Sequence, residues 1–414
     1  MNNGKIIITT LKNHILALLH KDNRILSAQV MKEAEHAVGN IYVGRVQSIS
    51  ENIGAAFVDI GGGCLTFLPL AEAKSAHITN RKANGNLKVG DELIVQVAKE
   101  AMKTKLAGVS TKLTLTGRYV VVGERTPKAL IGKKTQPKGE DGQNDRRESG
   151  SVHVSAKLDE QTKKRFRSLD SLQRIAADHS LIVRTNAGTL SDDTPLIEEA
   201  LALSEKFSHI MEIADKRTCY SCIYRSQPDW AAFVENAYRT EYDEVVTDLA
   251  DVYRDLQDIC GRASIPVRFY EDSLLPLYKL YALEARLQEL IDKKVWLKSG
   301  GYLVIEPTEA LVSIDVNTGK FEAGKEPEET YCRINREAAE AIAWQLRARN
   351  LSGIILVDFI NLKDREHETA LLKRMRELLK QDPVHTKVVD MTALGLMEIT
   401  RKKIDPSLAQ QLAR

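Results

Sequence analysis

Three residues could do chemistry in this chain. Asp315 and Asn317 stand two residues apart near the end of the apolar run LVSIDVN, and Asp358 ends a second run, GIILVD. Read as a strand with its period of two, residues 309–317 place Glu309, Leu311, Ser313, Asp315 and Asn317 on one face, with Val312, Ile314 and Val316 on the other. Two carboxylates with an amide beside them suit a hard divalent cation. Magnesium takes one or two protein carboxylates, keeps water and substrate phosphate as its other ligands, and relieves the mutual repulsion of the pair. The chemistry implied is metal-assisted phosphodiester hydrolysis. Taken in isolation, the aspartates read more simply as a turn cap and a strand end.

The elements that must position these residues are a strand, a helix and a second strand. Between the two runs, Pro327, Glu328 and Glu329 suit a first helical turn, and Ile334, Ala338, Ala341, Ile342 and Leu346 form an apolar stripe. The segment closes at Asn350 and Gly353. A unit of this length makes two neighbouring parallel strands, which brings Asp358 beside Asp315 at one sheet edge.

With 414 residues, the chain can bury a large core in two to four packed units. A hydrophobic fraction of 43% and a charged fraction of 28% are those of an ordinary globular protein. The opening residues MNNGKIIITTLKNH lack the apolar core of a signal peptide, and no apolar run approaches membrane length, so a cytoplasmic protein with no membrane partner is expected. Five widely spread cysteines argue for reduced thiols, and Cys219 and Cys222 form a single CxxC with no second pair, so no zinc is expected. The net charge of +2 still allows cations to gather on one face, and the runs Lys163–Arg167 (KKRFR) and Arg401–Lys403 (RKK) fit either an RNA path or a solvated helix face.

Three strands are expected within residues 1–36, with no helix to cover them, so their partners come from later in the chain. From Asn40, five short strands with glycine turns suggest a small closed barrel, and an OB-fold is the common form that binds single-stranded nucleic acid. Phe57 and Phe67 alternate with their neighbours so as to present rings outward, as stacking platforms or as packing. Residues 133–150 are polar and rich in glycine and charge, and read as a mobile loop. In LIVRTNAG, Arg184 offers a fork to a phosphate and Thr185 a hydroxyl. Leu196, Ala200, Leu203, Phe207, Ile210 and Ala214 then mark a core helix.

The stretches IEPTEALVSIDVNTG, NREAAEAIAWQLRARNLSGIILVDFINL and GLMEITRKK resemble the catalytic core of the ribonuclease E/G family of endoribonucleases, and the similarity spans nearly the whole chain. The resemblance implies an α/β multidomain fold. An OB-fold (S1 motif) RNA-binding barrel at 37–118 is inserted in a ribonuclease H-like subdomain of 1–36 and 229–290. A 5′-end sensor region at 119–228 and a DNase I-like catalytic subdomain at 291–405 follow, with 406–414 as a C-terminal tail. It implies magnesium on Asp315 and Asp358, supported by Asn317. GAAFVDIG and FLPL resemble the family's barrel, which implies RNA contacts from Phe57, Phe67 and Lys105. It also implies a pocket for an RNA 5′-monophosphate built from Gly117, Val121, Arg184 and Thr185. Three departures are visible. Asn361 stands where the family usually has an aspartate, Ala156 replaces the first of two adjacent basic residues and leaves Lys157, and no cysteine motif follows LAQQLAR. The family's motif lets two protomers share a zinc, so the chain is expected to be either a truncated form or a zinc-free member, and the oligomeric state, homodimer or higher, is open.

The expected activity is magnesium-dependent cleavage of single-stranded RNA, with messenger and ribosomal precursor RNA as substrates and 5′-phosphate and 3′-hydroxyl ends as products. Two rivals remain: a non-catalytic OB-fold protein that only binds RNA, and a structural protein with no RNA affinity.

Overall fold

The computed structural model describes residues 4–31, 36–73, 76–82, 86–101, 105–125, 152–261, 264–319 and 327–413. The loop expected at 133–150 lies outside the described residues. The chain divides into two compact units, one of residues 1–32 and 229–414 and the other of residues 33–228.

In the first unit, the strands Lys5–Leu11, His14–Lys21 and Arg24–Val30 form an antiparallel meander. They find their remaining partners far along the chain: Lys5–Leu11 pairs in parallel with Glu244–Thr247, which pairs in parallel with Val267–Phe269. Ile6 and Ile8 bury against Val245, Val252 and Leu256, while Ile7, Leu16 and Leu18 face Leu277, Leu283 and Leu287. Later helices thus supply the cover that the first strands lack.

A six-stranded sheet carries the aspartates in the same unit. Lys294–Trp296, Tyr302–Pro307 and Leu311–Asn317 run antiparallel, Gly353–Asp358 joins the last of these in parallel, and Leu396–Arg401 and Thr386–Met391 complete the sheet. The parallel step is bridged by the helix Pro327–Ala348. Ile334, Ala338, Ile342 and Leu346 bury against Val312, Ile314, Val316, Ile355 and Val357, and Met375 of the helix Arg365–Leu379 joins them. One sheet face is therefore core and the other is open. The first aspartate strand begins at Leu311 and not at Glu309, because Thr308 closes a tight turn, its hydroxyl accepting from the Leu311 amide at 3.1 Å and donating to the Leu311 carbonyl at 2.8 Å. At the far end of that strand a Cβ on Gly301 would lie 2.8 Å from the Asn317 carbonyl, so only glycine fits there.

The C-terminal segment forms a short helix, Leu408–Leu412, with Ser407 and Gln410 as a capping box. Leu408 is fully buried, and the Gln411 side chain accepts from the Val30 amide at 2.9 Å.

The second unit opens with a closed barrel. Ile41–Ser50, Ala55–Asp59 and Leu65–Pro69 run antiparallel, Ala107–Ser110 pairs in parallel with Leu65–Pro69, and Glu92–Lys99 closes the ring by pairing with both Ala107–Ser110 and Ile41–Ser50. Val46, Val58, Leu68, Val95 and Val109 fill its interior. Cys222–Tyr224 is added to the edge of Ile41–Ser50. Cys219 and Cys222 are both free thiols, as are Cys64, Cys260 and Cys332. Thr114–Thr116 already belongs to the next sheet, with Val120–Glu124, His179–Val183 and Val152–Val154. The helix Thr194–Ala214 covers that sheet through Leu196, Ala200, Phe207 and Ile210.

Among the described residues, no helix is long and apolar enough to cross a membrane.

Candidate functional site

Asp315 and Asp358 are partners in register on the adjacent parallel strands, and both side chains are exposed. Strand spacing puts their backbones about 4.8 Å apart. The period of two holds along Leu311–Asn317: Val312, Ile314 and Val316 are buried, and Asp315 rises from the open face. Asn317 donates from its amide nitrogen to Asp315 Oδ2 at 2.7 Å, which fixes the direction of that carboxylate. Among the described residues neither carboxylate is paired with a lysine or arginine. The donor set, two uncompensated carboxylates and an amide oxygen on a solvent-facing edge, therefore fits a hard cation that keeps part of its water.

Polar clamps hold the exit of the Asp358 strand. Asn335 is fully buried on the helix Pro327–Ala348, donates to the Ile360 carbonyl at 2.7 Å and accepts from the Ile360 amide at 3.0 Å. Two turns earlier, Glu328 accepts from the amides of Lys363 and Asp364 at 3.0 and 3.3 Å. Asn335 was not singled out from the sequence, although an amide inside an apolar stripe was a usable signal. Asn361, the departure noted above, turns its side-chain oxygen toward Gly395.

Glu328, Cys332 and His367 offer ligand atoms within 4.8 Å of one another. Their proximity already has a cause in the Glu328 clamp and its 3.4 Å contact with His367 Nδ1. Burial and the nearby carboxylates push the Cys332 thiol up.

On the barrel, Phe57 and Phe67 face each other in register across two strands, ring centroids 6.3 Å apart at 81°. Both are half-buried on the outer face, while Ala56, Val58 and Leu68 fill the interior. Lys105 is exposed, just before the strand in which Gly108 registers with Phe67. Phe57→Ala and Phe67→Ala are each expected to weaken binding of a fluorescent single-stranded RNA by about 1–3 kcal/mol, the worth of one base–aromatic stack. If affinity falls only in proportion to a fall in melting temperature, the rings are packing.

Gly117, Val121, Arg184 and Thr185 converge at one end of the four-stranded sheet. Val121 registers with Ile182, the Arg184 amide donates to the Tyr119 carbonyl at 2.7 Å, and its guanidinium donates to the Gly117 carbonyl. The Thr185 hydroxyl lies 2.8 Å from that of Ser155, and Lys157 is exposed nearby in sequence. Sequence reasoning missed Glu199. Its carboxylate accepts from three successive amides, those of Arg118, Tyr119 and Val120, at 2.8, 2.6 and 3.0 Å. Burial pushes this carboxyl up, against the amides and Arg184, which favour its charged form. The signal was an acid on the buried stripe, three residues after Leu196. The three amides of this turn are thus already taken by a side chain of the chain itself.

The basic runs resolve into structure. Lys163 pairs with Glu160, Arg165 pairs with Asp193 and Phe166 is core, so KKRFR is largely a solvated helix face. Arg401 is no RNA-facing cation: it is buried against Asp382.

Comparison with known proteins adds to this geometry. Residues 146–404 match the model of the "Ribonuclease E/G family", and residues 35–112 match the "S1 RNA binding domain", which covers the closed barrel. Ribonuclease G of Escherichia coli (strain K12) is 30% identical over 394 residues, covering 91% of this chain and 74% of that protein. Ribonuclease G of Haemophilus influenzae is 30% identical over all of this chain and 82% of its own length. Ribonuclease E of Escherichia coli (strain K12) is 31% identical over 91% of this chain and 34% of its own. With the barrel, the carboxylate edge and a family match over more than half its length, this chain belongs to the ribonuclease E/G family of endoribonucleases.

Proposed function

We propose that this endoribonuclease cuts single-stranded RNA at a magnesium site held by Asp315 and Asp358, leaving 5′-phosphate and 3′-hydroxyl ends. The observation that supports it is the register of the two aspartates, exposed side by side on an open sheet face. Bound there, magnesium would lower the pKa of its water and neutralise charge on the scissile phosphate. The chain's own residues do the rest: Asp315 and Asp358 bring the negative charge that recruits the cation, Asn317 holds Asp315 in one orientation, and Asn335 fixes the backbone just beyond Asp358. The test is cleavage of a labelled single-stranded RNA with magnesium, with chelator, and after metal add-back. Binding without cleavage in every arm would make the chain an RNA-binding protein only.

The strand order of the first sheet, 3-2-1-4-5 when its strands are counted along the chain, with the last two steps parallel, supports a ribonuclease H-like subdomain. The single six-stranded mixed sheet, with the helices Pro327–Ala348 and Arg365–Leu379 packed on one face, is read as part of a DNase I-like catalytic subdomain. Messenger and ribosomal precursor RNA as substrates, a cytoplasmic setting, homo-oligomerisation and the absence of a structural zinc complete the reading.

The Arg184 turn is read as the sensor of a 5′-monophosphate, supported by its guanidinium and the paired Thr185 and Ser155 hydroxyls. A charge-assisted, partly desolvated contact contributes about 1.5–3 kcal/mol, or roughly ten- to a hundredfold. Arg184→Ala is expected to slow cleavage of 5′-monophosphorylated RNA by that factor, toward the rate for 5′-hydroxyl RNA, and to leave the latter nearly unchanged. Equal slowing of both substrates would overturn the sensor.

A further inference from the structure

The open face of the aspartate sheet carries a second group of side chains in register with the first. Trp296 is paired with Tyr302, and Tyr302 is paired with Asn317, so these three form one row across the strands. Lys294, Val304, Asp315 and Asp358 form the next row. Val295, Leu303 and Val316 point the opposite way, into the core. Trp296 and Tyr302 meet edge to face with centroids 5.3 Å apart, and the Lys294 ammonium sits 4.0 Å from the first ring centroid and 3.6 Å from the second. Trp296 is nevertheless 66% exposed. The pair is thus an aromatic surface with a cation set against it, its tryptophan two strand spacings, about 10 Å, and its tyrosine one, about 5 Å, from the strand of Asp315.

We propose that Trp296, Tyr302 and Lys294 form a stacking platform that holds a base of single-stranded RNA flanking the scissile phosphate. The assignment rests on the reading of Asp315 and Asp358 as the cutting edge. Its chemistry is specific to that occupant: a nucleobase offers a flat π-face to the exposed indole, and the phosphate next to it finds the ammonium. The ammonium also counters the negative potential that two carboxylates would otherwise turn against an incoming phosphate. A single exposed aromatic is ordinary on a protein surface. An exposed tryptophan braced by tyrosine and lysine, and continuous with the asparagine that orients Asp315, is a shaped surface aligned with the reactive edge.

The test uses the full chain carrying Asp315→Asn, in chelator, so that binding is read without cleavage. Trp296→Ala is expected to weaken a fluorescent single-stranded RNA about fivefold or more, and Trp296→Phe to restore most of the loss. RNAs with an abasic site at each position flanking the cut supply the second readout. One position should weaken binding to the parent and have no further effect in Trp296→Ala. Equal affinity of parent and Trp296→Ala, or an abasic penalty that persists at every position in Trp296→Ala, overturns the platform. So does a change in particle mass by light scattering that accounts for the whole loss, which would make the patch a contact between copies. Failure of the cutting-edge reading shows up separately, as Asp315→Asn protein that still cleaves RNA in magnesium.

Discussion

Asp315→Asn and Asp358→Asn are each expected to reduce cleavage of single-stranded RNA by at least about a thousandfold, with RNA affinity nearly unchanged. The two carboxylates are in register and exposed on neighbouring parallel strands, so either substitution halves the charge that holds the cation while keeping the side chain's shape. A metal's stabilisation of the transition state is worth several kcal/mol, and each 1.4 kcal/mol or so is tenfold in rate. On the proposed reading, binding draws on stacking and phosphate contacts elsewhere, so it should survive. If both aspartates serve one ion, as proposed, the double variant should be barely slower than either single one. The measurements are single-turnover cleavage with magnesium, RNA affinity in chelator, and thermal melting. More than a few per cent of the parent rate in either single variant would sink the metal assignment.

The carboxylate edge was legible because it depends on local rules. A strand's period of two chose the face of Asp315, a helix of fitting length forced the next strand to be parallel, and the register followed. The barrel was legible for the same reason, since its strands follow one another and are set off by glycine turns. Features set by distant pairings were hidden. Lys5–Leu11 pairs with a strand more than 230 residues away, which the residues of neither segment reveal and only the family resemblance, joining 1–36 with 229–290, led one to expect. Glu199 and Asn335 show in the sequence only as polar residues within an apolar stripe, and Arg401 as one of a basic run, and only the fold sets them against backbone groups or a partner charge. The prominence of Trp296 is also tertiary, since exposure of a ring cannot be read from its neighbours in sequence.

Arg401 carries the largest expected effect on stability. Its side chain and that of Asp382 are only 2% and 3% exposed. Arg401 Nε donates to Asp382 Oδ2 at 2.8 Å, Nη2 to Oδ1 at 3.3 Å, and Nη1 to Asn350 Oδ1 and the Leu351 carbonyl at 2.7 and 3.1 Å. Arg401 therefore ties the end of the helix Pro327–Ala348 to the strand Leu396–Arg401, where it is itself the register partner of Gly353. Asp382 is further held by the Val384 amide and the Thr386 hydroxyl, both at 2.9 Å. Arg401→Met leaves that carboxylate buried without its cation, which should cost about 3–5 kcal/mol. Against a total stability of about 5–15 kcal/mol, this is a large fall, visible as a lower denaturant midpoint. Adding Asp382→Asn removes the stranded charge while keeping an acceptor for the amide and the hydroxyl, so the double variant should recover much of the loss. RNA affinity, measured where both variants remain folded, should match the parent. A loss of affinity without a loss of stability in Arg401→Met would return Arg401 to the RNA path and overturn its structural role.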